Sequence, residues 1–143
     1  MATSWKFIDN SDAVKKQLLQ VSETAMEAAC LIVEASAKAN APVGTSGELR
    51  DKIDHRITNK GGIITGQIGS PTDYAPYVEY GTGEFAENGA GRKGGWSYQT
   101  PDGEWHHTDG MRPQPFLRPA FRENKANIEN VIGQKFNSTF NGK

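Results

Sequence analysis

The chain has 143 residues, and its 16 basic and 17 acidic side chains leave a formal net charge of −1. No whole-molecule field therefore draws it to nucleic acid, and any binding of polyanions must come from a local patch. The length suits a single domain, 1–143, that can bury a core without disulfides or a structural metal, and the low apolar content (36%) with 16 glycines points to a modest core carrying long surface loops.

Residues 1–10 form an N-terminal arm without the apolar segment of a secretory signal. The longest wholly apolar run, Ala28–Val33, is six residues, far short of the ~20 that cross a bilayer. No membrane partner is expected. The one cysteine, Cys30, lies in that run and reads as a buried, inert thiol of a protein made in a reducing cytoplasm.

From Asp12, apolar residues fall at Val14, Leu18, Val21, Ala25, Ala28, Ile32, Ala35 and Ala39, one face of a helix roughly 43 Å long. Asn10 or Ser11 can cap its start, and Asn40-Ala41-Pro42 stops it. The strict heptad also fits a coiled coil, but packing on the protein's own sheet is the better expectation. Thr45-Ser46-Gly47-Glu48 has capping-box spacing and predicts a short turn of helix through Leu49 and Arg50. Alternation over Ile53, His55 and Ile57, then Asn59-Lys60-Gly61-Gly62, then Ile64 and Ile68 predicts a β-hairpin. Asp73 can cap a helical turn through Glu79 that Gly81 ends.

A long glycine-rich loop follows, with residues 84–95 expected to be a flexible link. Trp96-Ser97-Tyr98 and Glu104-Trp105-His106-His107 flank the turn Thr100-Pro101-Asp102-Gly103 and predict a second hairpin. The proline-rich stretch Arg112–Pro119 leads into a final helix from about Ala120, with Phe121, Ile128, Val131, Ile132 and Phe136 inward, and the tail 141–143 is expected to fray. The order predicts an α+β domain: a long N-terminal helix and a C-terminal helix packed on an antiparallel sheet of two β-hairpins, with a long Gly-rich loop.

Gly89-Ala90-Gly91-Arg92-Lys93-Gly94 has the spacing G-x-G-x-x-G. A dinucleotide site needs that motif to turn a buried strand into a helix. Here acidic loop residues precede it and Gly95-Trp96-Ser97 follows, so no cofactor is expected. His106 and His107 point to opposite faces of a strand and cannot share one metal ion. His107 can share a face with Asp109, but no further ligand stands at metal spacing. No serine lies in a nucleophile elbow, and the carboxylates of the loop region read as solvated. Neither a catalytic nor a metal site is expected.

Charge is segregated along the loops. Residues 73–87 carry Asp73, Glu79, Glu84 and Glu87 and no base. Residues 88–125 carry Arg92, Lys93, Arg112, Arg118, Arg122 and Lys125 against four acids. Such a division suits head-to-tail contacts between copies; it also suits ordinary solvated charge, or a local basic patch (Arg92, Lys93, Arg112, Arg118, Arg122) that holds nucleic acid.

Three stretches, Ala41-Pro42-Val43-Gly44-Thr45-Ser46-Gly47-Glu48-Leu49-Arg50, Tyr74–Gly83 (YAPYVEYGTG) and Pro113–Phe121 (PQPFLRPAF), resemble in order and spacing the tail-component family of long-tailed bacteriophages. That family includes neck and tail-completion proteins, and the likeness extends more distantly to the lambda minor tail protein Z. The resemblance covers roughly residues 12–136; the chain departs from it mainly over 84–110. It implies a non-enzymatic virion protein that joins tail to head as a homo-oligomeric ring of six or twelve copies. It also implies contacts with connector or head-closure proteins and with tail-terminator or tail-tube proteins, and DNA passing through the lumen without sequence-specific binding. Residues expected at such interfaces are the stripe Tyr74, Tyr77 and Tyr80, the charged set Glu79, Glu84, Arg92, Lys93, Arg112, Arg118 and Arg122, the hairpin residues Trp96 and Trp105, and Phe116 and Leu117 in the proline-locked segment. Packing within the subunit is the alternative for the tyrosines and for Phe116.

Overall fold

The structure, a computed structural model, describes residues 4–141. Of the expected arm and tail, residues 1–3, 142 and 143 lie outside the described residues. The elements run α1 (Ser11–Asn40), α2 (Glu48–Asp51), β1 (Asp54–Lys60), β2 (Ile63–Gly69), α3 (Ala75–Tyr80), β3 (Trp96–Gln99), β4 (Trp105–Thr108), α4 (Leu117–Glu123) and α5 (Lys125–Phe140). The class is α+β, with long helices at both ends.

Helix α1 is the scaffold. At 1.5 Å per residue its 30 residues span about 45 Å. The Asp9 carboxylate accepts the Ser11 N–H at 2.9 Å, so the start is satisfied one residue earlier than expected. The end follows from Ala41, whose N–H reaches the Ala37 carbonyl at 2.9 Å before Pro42 forbids another turn. The buried face is Val21, Ala25, Ala29, Cys30, Val33 and Ala37, whereas Val14, Leu18, Ala35 and Ala39 are exposed. The heptad stripe thus corrects to a face stepping by fours. A straight helix drifts about 20° per heptad against a strict 3.5-residue repeat, and two different partners share this helix. β1 and β2 lie against it on one side and α4 and α5 on another.

The main core gathers at the C-terminal part of α1: Val33, Ala37, Ala41, Leu49, Ile53, Ala75, Val78, Phe116 and Ala120. Small residues on α1 let the other backbones approach closely. β1 and β2 pair antiparallel from Asp54↔Gly69 to Lys60↔Ile63. Gly61 and Gly62 alone connect them, with φ of 60° and 85°, as a two-residue turn with both φ positive requires.

Three local expectations are corrected. α2 begins after Gly47 with no side-chain cap; Ser46 Oγ takes the Glu48 N–H at 3.3 Å, while the Glu48 carboxylate turns to Lys52. Asp73 does not cap α3, which enters from Tyr74 with Pro76 in its first turn. The last helix is broken at Asn124, whose side-chain amide donates to the Ala120 carbonyl at 2.9 Å. Ala120 is the buried residue there and Phe121 faces out. α5 packs along α1, its Lys135 and Thr139 lining one groove with Gln17, Val21 and Thr24, so it runs back toward the start of α1 and rests on a helix instead of a sheet.

β3 and β4 pair from Trp96↔Thr108 to Gln99↔Trp105 as a second sheet, separate from the first. Their four-residue strands have no apolar face to lay on it, since Tyr98, His106 and His107 are all exposed and Tyr98 stacks on His106 with centroids 5.6 Å apart.

One polar tie fixes the first hairpin to α1. The half-buried His55 ring of β1 faces Glu34 through Nδ1 and Glu27 through Nε2 at 2.8 Å. These carboxylates favour the imidazolium and push the His55 pKa above its ordinary 6.5, against a smaller opposing effect of burial. A raised folded pKa means the stabilisation is fully present below the unfolded value and is lost as pH rises through the folded one. Unfolding midpoints measured across this range should therefore fall on the alkaline side for the wild-type chain, and His55→Gln should remove that slope.

Two glycines make a second test by urea unfolding. A Cβ on Gly66 of β2 would collide with Cys30 Sγ and Met26 Sδ, whereas one on Gly133 of α5 meets nothing within 4 Å. Gly66→Ala should destabilise by about 1–3 kcal/mol and Gly133→Ala should stabilise by about 0.5–1 kcal/mol.

Candidate subunit-interaction site

The proline-rich segment Arg112–Pro119 runs beside α3 and places the N-terminus of α4 against it. Gln114 N–H donates to the Val78 carbonyl at 2.8 Å, and Phe116, with 0% exposure, drops into the core. Burying Phe116 leaves the first N–H groups of α4 without helical partners. The Glu79 carboxylate supplies acceptors for them. Its Oε2 accepts from Phe116 N–H at 2.8 Å and Leu117 N–H at 3.0 Å, and its Oε1 from Arg118 N–H at 3.1 Å. The Arg118 guanidinium closes the arrangement, with Nε to Glu79 Oε1 at 2.8 Å and Nη2 to the Glu79 carbonyl at 3.0 Å.

Glu79 is 3% exposed. Burial pushes its carboxyl up, but the Leu117 and Phe116 N–H groups and Arg118 together outweigh burial and hold it below its ordinary 4.5. Arg118 then extends outward to Glu87, Nη1 to Oε1 at 3.0 Å and Nη2 to Oε2 at 2.8 Å. It also lies over the Tyr80 ring at 4.7 Å, a cation–π contact. Its pKa is raised by Glu87 and then by Glu79.

These contacts answer the charge segregation. Glu79 and Glu87 are taken by Arg118, Lys93 lies 3.6 Å from Glu84, Arg92 lies 5.8 Å from the Trp96 ring centroid, and Arg112 lies 4.4 Å from that of Phe85. The acidic and basic stretches meet largely within one subunit. The basic set named for nucleic acid is correspondingly divided among partners of its own chain, with Arg122 exposed on α4.

Outside the Glu79–Arg118 pair lies a cleft of about 640 Å³, bounded by Tyr77 and Tyr80 of α3, the Gly81–Gly83 turn, the loop at Ala86 and Ala90, and Arg118. The glycine-rich motif forms part of its wall. Gly91 packs so closely on the Gly83 backbone and Ala86 that a Cβ would collide with both. Backbone bonds from Glu84 N–H to the Asp109 carbonyl at 2.8 Å and from Glu87 N–H to the Tyr80 carbonyl at 2.9 Å tie the loop to its surroundings.

Of the expected interface residues, Glu79 and Phe116 are buried within their own subunit, which for Phe116 is the packing role given as the alternative. Tyr74, Tyr77, Tyr80 and Trp105 are exposed, as are Glu84, Arg92, Lys93, Arg112 and Arg122; Trp96, Leu117 and Arg118 are partly covered. The structure adds a surface that the sequence reading passed over. Trp5 is 93% and Phe7 90% exposed in the arm, and their apolar bulk just ahead of a polar helix start was the available signal.

Among the described residues, Glu34, Asp54 and His55 bring ligand atoms within 4.8 Å of one another. Lys38, 2.5 Å from Glu34 Oε1, and the His55 imidazole already occupy Glu34, so the group reads as the ion-pair network of the first hairpin. His107 Nε2 and Asp109 Oδ1 stand 3.3 Å apart, both exposed. Among the described residues no helix is long and apolar enough to cross a membrane.

A family model described as "Bacteriophage HK97-gp10, putative tail-component" matches residues 6–81, slightly more than half the chain and everything from the arm through α3. The chain belongs to this HK97 gp10-like tail-component family. No curated protein and no solved structure matches it.

The Glu79 arrangement makes a quantitative prediction. Glu79→Ala leaves the first turn of α4 without its acceptor and Arg118 held by Glu87 alone, and should destabilise by about 3–5 kcal/mol in urea unfolding. Because the folded carboxyl is held low, its stabilisation is present above the unfolded pKa and is lost as pH falls through the folded value. Wild-type stability should drop as pH falls below about 4.5, and Glu79→Gln should flatten this acid limb.

Proposed function

We propose that the chain is a structural virion protein of a tailed phage, a neck or tail-completion component that joins tail to head as a homo-oligomeric ring with a lumen for DNA. Family membership supports a tail component. The observation that carries the finer reading is the apolar surface left unburied in two separate places: Trp5, Phe7 and Ile8 in the arm, and Val14, Leu18 and Leu19 at the start of α1. Single exposed apolar residues are ordinary on a monomer, but clusters of this kind mark contacts with other chains.

In this reading the ring contains six or twelve copies, with neighbouring copies meeting at the α3 tyrosines and the second hairpin. Connector or head-closure proteins contact one face, and tail-terminator or tail-tube proteins the other. The DNA passes without sequence readout, as suits a subunit whose net charge is −1. The role is mechanical and needs no catalytic residue.

A phage carrying a deletion of this chain tests the proposal by electron microscopy of the lysate. Separate filled heads and unattached tails are expected, with infectivity restored by the chain supplied in trans. Joined, infectious particles from the deletion would overturn it.

A further inference from the structure

We propose that His55, Glu34 and Asp54 form a binding site for a divalent transition-metal ion such as zinc, which clamps the first hairpin onto α1. The site belongs to the folded subunit and does not depend on the ring reading.

An imidazole separates this group from an ordinary acidic surface. His55 Nδ1 faces Glu34 Oε2 and lies 3.9 Å from Asp54 Oδ1, and one ligand atom from each of the three residues lies within 4.8 Å of the others. Histidine nitrogen with carboxylate oxygens is a donor set that zinc accepts in four-coordinate geometry. Such an ion sets its ligands roughly 3.3–3.5 Å apart. Nδ1 and Asp54 stand slightly beyond that separation and Nδ1 and Glu34 inside it, so side-chain rotations suffice to admit the ion.

The other ring nitrogen points the same way. His55 Nε2 lies 2.8 Å from Glu27 Oε1. A histidine that ligates a metal through one nitrogen ordinarily donates from the other to a carboxylate, which fixes its tautomer and ring orientation. With the Nε2–H given to Glu27, His55 presents its Nδ1 lone pair to Glu34 and Asp54. Asp54 is held in place as well: its Oδ1 accepts the His55 backbone N–H at 2.8 Å, so the carboxylate stays beside the ring although its side chain is 83% exposed. Lys38 engages Glu34 through Oε1 and leaves Oε2 to the site. A protonated Nδ1 bonds Glu34 directly, as in the ion-pair network above, and the ion takes the place of that proton.

Charge and access suit a small cation. With the imidazole neutral, the carboxylates of Glu27, Glu34 and Asp54 face the single ammonium of Lys38, and a divalent ion balances the remainder. Arg56, next along β1, is turned to Gln67 at 2.6 Å. The His55 and Glu34 side chains are largely covered, whereas Asp54 and His55 border a cleft of about 510 Å³ that reaches Ser70, which gives the ion a path and leaves room for water at the fourth position. Glu27 and Glu34 lie two turns apart on one face of α1, and Asp54 and His55 open β1, so the ion joins helix to hairpin.

Metal titration of the untagged full chain, stripped with EDTA and dialysed, tests the site. Zinc followed by calorimetry should bind as one ion per chain and raise the urea midpoint as its concentration rises. Cobalt(II), used as a spectroscopic probe, should give the intense visible bands of a four-coordinate nitrogen and oxygen site, without thiolate charge transfer from the buried Cys30. Glu27→Ala should weaken zinc binding by about 10–100-fold, and Asp54→Asn and His55→Gln at least as much, with Asp54→Asn leaving the circular dichroism of the folded chain unchanged. His106→Gln combined with His107→Gln should leave binding as it is. No uptake of zinc or cobalt at millimolar metal, binding unmoved by the Asp54, His55 or Glu27 substitutions, or binding lost with His106 and His107 would overturn the inference.

Discussion

A buried carboxylate at the start of a helix organises the second half of this protein. Glu79 leaves α3 and accepts the first backbone N–H groups of α4, while Arg118 on α4 returns its guanidinium to the same carboxylate. A bare carboxylate with 3% exposure is unstable unless its oxygens are fully engaged, and free N–H groups at a buried helix end are equally unfavourable. Each group satisfies the other, and the partly positive helix N-terminus favours the negative charge. The pair links a segment inside the family match to one beyond it, and fixes the start of α4 where that helix, like α5, packs on α1.

That junction also sets the character of the surface outside it. Arg118 faces inward to Glu79 and outward to Glu87, which removes three charges from the region where the acidic and basic stretches of sequence adjoin. What remains around the cleft is aromatic and small: Tyr77, Tyr80, Ala86, Ala90 and the Gly83–Gly91 contact. A surface of this kind favours shape and apolar recognition over long-range attraction. It agrees with a tail component of near-zero net charge that meets other phage structural proteins.

Helix α1 separates two regimes. Its C-terminal part carries the core, where alanines at 37 and 41 let Phe116 and Ile53 pack beside it. Its first ten residues are exposed throughout, including Val14 and Leu18 of the apolar stripe. A helix of about 45 Å is longer than the core of this small domain can cover. Its uncovered end, together with the arm ahead of it, leaves Trp5, Phe7, Val14 and Leu18 exposed.

The sequence by itself determined the local elements. Hydrophobic spacing and Pro42 marked α1, Gly61-Gly62 marked the tight hairpin turn, and Pro101-Asp102-Gly103 marked the second one, because these depend on backbone preferences of a few neighbouring residues. Three motif stretches pointed to the tail-component family. Only the tertiary structure decided which residues face inward. Glu79 reads as a surface residue, and Phe116 as either an interface anchor or a packed residue, because nothing within a few positions of either supplies a burial pattern; their partners lie across the fold, Glu79 and Phe116 being 37 positions apart in sequence. The same holds for the two separate hairpins and for the stripe of α1. Periodicity records that a helix has an apolar side, but the number of partners packing on it, and the direction from which each arrives, is a property of the assembled chain.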